Sequence, residues 1–146
     1  MYLPLHIDLR GKKVLVIGFG EVGKRRVEKL LKAGASVTVI DRKKVRTKRS
    51  VKFIQKNLQP SGIPSFKKYF LVIASTDDKK LNAAIARRAK REGCLVNRAD
   101  FFIDGNVIFP AVIETCAGVL SFATLGKNPR LSKRVKEALE HGFPER

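Results

Sequence analysis

A chain of 146 residues holds one domain with a buried core, or one domain with a short appendage, and excludes two full domains. At 44% hydrophobic and 30% charged residues it is too apolar for a disordered chain, and no segment approaches the roughly 20 apolar residues of a membrane span. Its 31 Lys and Arg against 13 Asp and Glu leave a formal charge of +18, which asks for an anionic partner: nucleic acid, a polycarboxylate substrate or a phosphate-bearing cofactor. The N-terminal stretch has no apolar run of signal-peptide length, so a cytoplasmic protein is expected. Cys94 and Cys116 lie in separate apolar segments without metal-ligand spacing and read as buried free thiols.

In chain order, Lys12 to Ile17 (KKVLVI) is a short β-branched run that suits a strand buried on both faces. From Val22 the positions Val22, Val27, Leu30 and Leu31 keep helical spacing, and Gly34 follows as a stop. Ser36 to Ile40 is a second strand that ends at Asp41, completing a βαβ unit. The basic run KKVRTKRS (43 to 50) reads equally as a solvated surface or an anion-binding stretch. Val51 to Ile54 predicts a weaker third strand, Pro60, Gly62 and Pro64 punctuate a loop, and Tyr69 to Ala74 predicts a fourth strand. Asp77 and Asp78 are placed to cap a helix containing Leu81, Ala84, Ile85 and Ala89, which runs to Gly93; Leu95-Val96 begins a fifth strand.

After Asp100 the pattern changes. Val107 to Ile113 and Val119 to Thr124 read as two strands joined by a hairpin connection at Thr115 to Gly118. Pro129 then opens a helix in which Leu131, Val135, Ala138 and Leu139 share a face, ending at His141-Gly142. The expectation is an α/β protein: a Rossmann-like, doubly wound, five-stranded parallel sheet over residues 1–105, followed at 106–146 by a small hairpin-helix segment. That segment is too small to stand alone, and a second subunit is the surface expected to cover it.

Gly18-Phe19-Gly20-Glu21-Val22-Gly23 matches G-x-G-x-x-G between a buried strand and an amphipathic helix, where a dinucleotide pyrophosphate is bound. Gly18 permits the tight turn, Gly20 lets backbone approach the phosphates, and Gly23 lets the helix pack on the sheet. Asp41 ends the second strand, where a carboxylate accepts hydrogen bonds from the adenosine ribose and favours NAD; Arg42 beside it leaves NADP open. The same turn in a doubly wound domain that binds no dinucleotide is the plainer alternative.

The ordered motifs carry a family resemblance. Leu3-Pro4-Leu5, Leu9-Arg10-Gly11, the glycine turn, Ala33-Gly34-Ala35, LVIASTDD (71 to 78) with Leu81-Asn82, Leu95-Val96-Asn97 with Asp100, Pro110, and GKNPRLSKRVKEALE (126 to 140) resemble the precorrin-2 dehydrogenase, or siroheme synthase N-terminal, family. The resemblance implies NAD-dependent oxidation of precorrin-2 to sirohydrochlorin in siroheme biosynthesis. It implies that Asp100 is the general base, although on the residues alone Asp100 reads as a turn or cap at a strand end. It also implies that Ala74, Ser75 and Thr76 face the nicotinamide half of the cofactor, and that Asn97 bonds the cofactor or fixes the Asp100 loop. Arg98, Thr124, Lys127 and Arg130 are the candidate contacts to a polycarboxylate substrate, with solvated surface the alternative for each cation. The hairpin-helix tail implies a homodimer. No metal ligand is assigned; His6 and His141 read as surface residues.

Longer family members continue with a further helical region where this chain ends in EHGFPER, so dehydrogenation is expected and metal insertion is left open. Two rivals remain: a non-catalytic Rossmann module that senses NAD, which needs no Asp100, and a nucleic-acid binder, for which the sequence carries no recognised motif.

Overall fold

The computed structural model describes residues 2–115, 118–125 and 128–140. The chain divides into two compact units, Met1–Asn106 and Val107–Arg146. The break falls one residue later than expected because Asn106 pairs with the fifth strand: its N–H donates to the Val96 carbonyl at 2.9 Å, and its Oδ1 accepts from the Val96 N–H at 2.6 Å.

The first unit is a parallel sheet of β1 (Lys13–Ile17), β2 (Ser36–Asp41), β3 (Lys52–Gln55), β4 (Leu71–Ala74) and β5 (Leu95–Arg98), in the order β3-β2-β1-β4-β5. The order reverses between β1 and β4, which creates a crevice beyond the carboxyl ends of the strands. Apolar runs rather than alternation mark these strands because both faces are covered. Val14, Val16, Val39, Val72, Ile73, Ala74 and Val96 have no exposed surface. One face packs Leu15, Ile17, Ile40, Val72, Ala74 and Val96 against Leu81, Ile85, Ala86 and Ala89 of helix α2 (Lys79–Arg91) and against Leu58 and Phe66 of the loop before β4. Helix α1 (Glu21–Lys32) packs on β1 and β2, burying Val27 and Leu30. Loops, with one 3₁₀ turn at Pro60–Gly62, take the place of helices between β2 and β4.

Both helices end as the sequence indicates. At α1 the Ala35 N–H bonds the Leu30 carbonyl and the Gly34 N–H bonds that of Leu31; at α2 Cys94 bonds Ala89 and Gly93 bonds Lys90. Gly34 and Gly93 supply the left-handed residue that this Schellman geometry requires, at φ +76° and +75°. Asp78 caps α2, its Oδ1 accepting from the N–H groups of Lys80 at 2.8 Å and Leu81 at 3.0 Å.

The second unit comprises an antiparallel pair, β6 (Ala111–Thr115) and β7 (Gly118–Phe122), and helix α3 (Pro129–Glu140) packed on it. The first hairpin strand begins four residues later than the apolar run from Val107 suggests, just after Pro110, whose missing N–H cannot join a ladder. Thr115 pairs directly with Gly118; Cys116, Lys127 and the expected helix stop at His141-Gly142 lie outside the described residues. On α3, Leu131 is 41% exposed, Ala138 is exposed, and Val135 and Leu139 are half-buried.

Candidate active site

The glycine turn joins β1 to α1 at the crevice. The Gly18 N–H bonds the Ile40 carbonyl, and Ser75 at the end of β4 donates its N–H to the Ile17 carbonyl at 2.8 Å; its Oγ lies 2.9 Å from the Gly18 oxygen. This contact leaves no room for side chains: a Cβ at Gly18 would stand 2.5 Å from the Ser75 oxygen, and one at Gly23 would stand 2.1 Å from the Gly18 oxygen. Gly20 differs, because a Cβ there would meet nothing within 4 Å. It caps α1 in extended geometry without a side-chain hydrogen bond. The first intrahelical bond runs from the Lys24 N–H to the Gly20 carbonyl, so the N–H groups of Glu21, Val22 and Gly23 precede the ladder, at the positive end of the helix dipole. Open space beside uncapped donors fits a pyrophosphate. Both Glu21 and Val22 are exposed in this first turn.

Asp41 fits the ribose. Its Oδ2 accepts from the Phe19 N–H at 2.7 Å and its Oδ1 from the Lys43 N–H at 2.8 Å, which locks the carboxylate beside the turn and leaves a lone pair on each oxygen for hydroxyl donors. Arg42 is exposed and lies 3.8 Å from the fully exposed Asp77 carboxylate, a pair of little energetic weight. The cleft here, about 210 Å³, has an apolar wall of Ile40, Leu58 and Leu81 and a polar rim that includes Asp41, Ser75 and Thr76. The structure therefore brings Gly18, Phe19, Gly20, Asp41, Arg42, Ser75 and Thr76 to one crevice, with Glu21, Val22 and Gly23 following in the first turn of α1. Ala74 is fully buried beneath it in β4.

Asp100 follows β5 at the same edge of the sheet. Its Oδ1 accepts from Arg98 Nε and from Asn82 Nδ2, each at 3.0 Å, and its Oδ2 accepts from Arg98 Nη2 at 2.9 Å. Burial alone would raise the carboxyl pKa, but the Arg98 hydrogen bonds and charge, with the Asn82 amide, outweigh it and hold Asp100 below its ordinary value. Arg98 corrects the expectation placed on it. Rather than reaching toward a substrate it is 7% exposed, and its guanidinium bonds Asp100, the Asp104 carboxylate and the Lys79 carbonyl. A cation carried to the end of a buried strand must be paired where it lies, and two following aspartates pair it.

Asn97 is buried at 3% and stands level with Ile73 of β4, on the sheet face opposite Val96 and Arg98. Thr124 and Arg130 belong to the second unit. The Thr124 hydroxyl accepts from the Asn128 N–H at 3.2 Å and lies 3.0 Å from the Asn128 carbonyl, organising the turn into α3; Arg130 is exposed.

Asn82 is the residue that sequence reasoning passed over. It is fully buried on α2, and its Oδ1 accepts from Thr76 Oγ1 at 2.7 Å while its Nδ2 reaches Asp100. A signal was present: an amide among Leu81, Ile85, Ala86 and Ala89 at the helical period of the buried face is a polar group that must find partners.

Comparison with known proteins extends these observations. A family described as "Putative NAD(P)-binding" matches residues 5–111. The siroheme synthase of Blochmanniella pennsylvanica is 35% identical over 99% of this chain, and that of Sodalis glossinidius is 34% identical over 98%. The chain spans 31% of the length of each of these relatives. A solved structure, "SirC, precorrin-2 dehydrogenase", is 30% identical, with a TM-score of 0.78 over 99% of this chain and 72% of that one. With the NAD(P)-binding match over most of its length and that full-length structural likeness, the chain belongs to the siroheme synthase N-terminal family, which includes the precorrin-2 dehydrogenase SirC.

Proposed function

We propose that the protein is an NAD-dependent dehydrogenase that converts precorrin-2 to sirohydrochlorin, with Asp100 as the proton acceptor. The observation that carries this reading is that the glycine turn and the Asp100 carboxylate stand at the same end of the parallel sheet. The phosphate-binding turn follows β1, the Asp100 carboxylate follows β5, and the loop after the intervening β4 hydrogen-bonds toward both. Asp41 favours NAD over NADP, because a carboxylate that bonds ribose hydroxyls repels a 2′-phosphate. NAD, when bound, supplies the hydride acceptor. The relatives' names support the substrate, and the charge of +18 suits a polycarboxylate macrocycle.

Oxidation removes a hydride and a proton from the macrocycle. Loss of hydride leaves it electron-poor and makes the departing proton acidic, so a carboxylate held below its usual pKa is basic enough and stays ionised for each turnover. Arg98 and Asn82 take both lone-pair sites on Oδ1 and Arg98 takes one on Oδ2, so Oδ2 is the oxygen we assign to the substrate proton. Thr124, Lys127 and Arg130 remain the candidate contacts to substrate carboxylates, and Asn97 the candidate for bonding the cofactor or fixing the Asp100 loop.

Mixing the protein with NAD and precorrin-2 should produce NADH and the sirohydrochlorin spectrum. Asp100→Asn should lower kcat by roughly 100-fold or more, in the range of a lost general base, while NAD affinity stays within about threefold. A folded protein that binds NAD and turns nothing over would instead be a sensor.

We also infer a homodimer formed through the second unit. Val119, Leu120, Leu125 and Leu131 are 40–46% exposed there, and a two-stranded sheet with one helix needs further apolar cover. Leu131→Glu should give a monomer in sedimentation analysis where the native protein is a dimer. A native protein that sediments as a monomer would remove the inference.

A further inference from the structure

Asn82 has no exposed surface, and every polar site of its amide is engaged. Oδ1 accepts from the Thr76 N–H at 3.1 Å and the Thr76 hydroxyl at 2.7 Å; Nδ2 donates to the Thr76 carbonyl at 2.9 Å and to Asp100 Oδ1 at 3.0 Å. These four bonds exhaust the two acceptor and two donor sites of a carboxamide. The reverse orientation would set NH₂ against the Thr76 N–H and oxygen against a carboxylate, so the amide is fixed in one sense. Packing gives no reason for it: the neighbouring buried residues of α2 are Leu81, Ile85, Ala86 and Ala89, and an aliphatic side chain would suit them better.

We propose that Asn82 is a positioning residue of the active site, holding the Asp100 carboxylate and the Thr76 loop of the cofactor cleft in one fixed mutual arrangement. The inference rests on the reading of Asp100 as proton acceptor. Thr76 lines the cleft and Asp100 stands at the end of β5, and the Asn82 amide bonds both. Its N–H also stabilises the charged form of Asp100, so its loss or reversal acts on the proton affinity of that group as well as on its position.

Two variants separate the halves of this role. Asn82→Asp keeps an acceptor for Thr76 but sets a second carboxylate against Asp100, whereas Asn82→Leu removes both links. The carbon-13 resonance of the Asp100 carboxyl, followed against pH in the protein without cofactor, should show its midpoint raised by about one pH unit or more in Asn82→Asp. The acid limb of the kcat profile should move the same way. Asn82→Leu should lower kcat roughly tenfold or more, with KM for precorrin-2 changed less than about threefold, as expected when an interaction that matters only in the transition state is lost. Thermal melting establishes that each variant is folded. An unchanged Asp100 midpoint in folded Asn82→Asp, or native kcat in folded Asn82→Leu, overturns the proposal. If the native protein does not oxidise precorrin-2, the dehydrogenase reading fails separately, and the Asp100 titration still decides whether Asn82 controls that carboxylate.

Discussion

A methyl group added at Gly23 would stand 2.1 Å from a backbone oxygen, while one added at Gly20 would meet nothing within 4 Å. The two glycines of one motif thus answer to different demands. Gly23→Ala should destabilise the fold by about 3 kcal/mol, since neither the helix nor the turn can yield cheaply. Gly20→Ala should cost about 1 kcal/mol or less, because the methyl faces open space and only the N-cap preference for glycine over alanine is lost. Its NAD affinity should nevertheless fall tenfold or more, about 1.4 kcal/mol, because that space is where the pyrophosphate would lie. Thermal melts and calorimetric NAD titrations check both; unchanged NAD affinity in folded Gly20→Ala would remove it from the phosphate site. At this scale the sequence was legible where a residue's duty is local. The spacing of Gly18, Gly20, Gly23 and Asp41 marked the turn into α1 and the end of β2. Arg98 and Asn82 were not legible in the same way, because what each contributes depends on partners brought to it by folding.

Helix α2 is tied down at both ends by acids, Asp78 at its N-terminus and Glu92 as its C-terminal cap. The Glu92 carboxylate accepts from the Phe66 N–H and pairs with Arg88, bonds that hold its pKa below the ordinary value, with the Phe66 amide the foremost cause. Through Phe66 it anchors the loop that closes the core beneath the cleft. A carboxyl whose folded pKa is depressed contributes stability that is fully present above its unfolded pKa, about 4.3, and is lost as pH falls through the lower folded value. Glu92→Gln should therefore melt below the native protein at pH 7 and pH 5, with the gap narrowing below about pH 4. A gap constant down to pH 2 would show that the charge contributes nothing. Helices were the most legible elements, since Asp78, Gly34 and Gly93 mark their ends through local backbone hydrogen bonding. Strand limits were less so: the Tyr69 to Ala74 run shortens to Leu71–Ala74 and the strand expected at Val107 to Ile113 shifts to Ala111–Thr115, because a strand exists only where a neighbour supplies a ladder.

Across the whole molecule, +18 of formal charge makes association with a multiply charged anion sensitive to salt. Raising NaCl from 50 to 500 mM should increase KM for precorrin-2 by roughly tenfold, well beyond the change in Kd for NAD, which carries fewer charges. Equal salt responses would mean that the basic surface does not serve the substrate. The fold class, the cofactor turn and the change of architecture after Asp100 were determined by the sequence by itself. Strand patterning, helix stops and phosphate-binding turns are set by side-chain order over short stretches of chain. Only the tertiary structure decided how Asp100 is held. Its amide donor comes from α2, eighteen positions back, and Arg98 turns inward to it because a buried charge must be paired with whatever the folded chain places beside it.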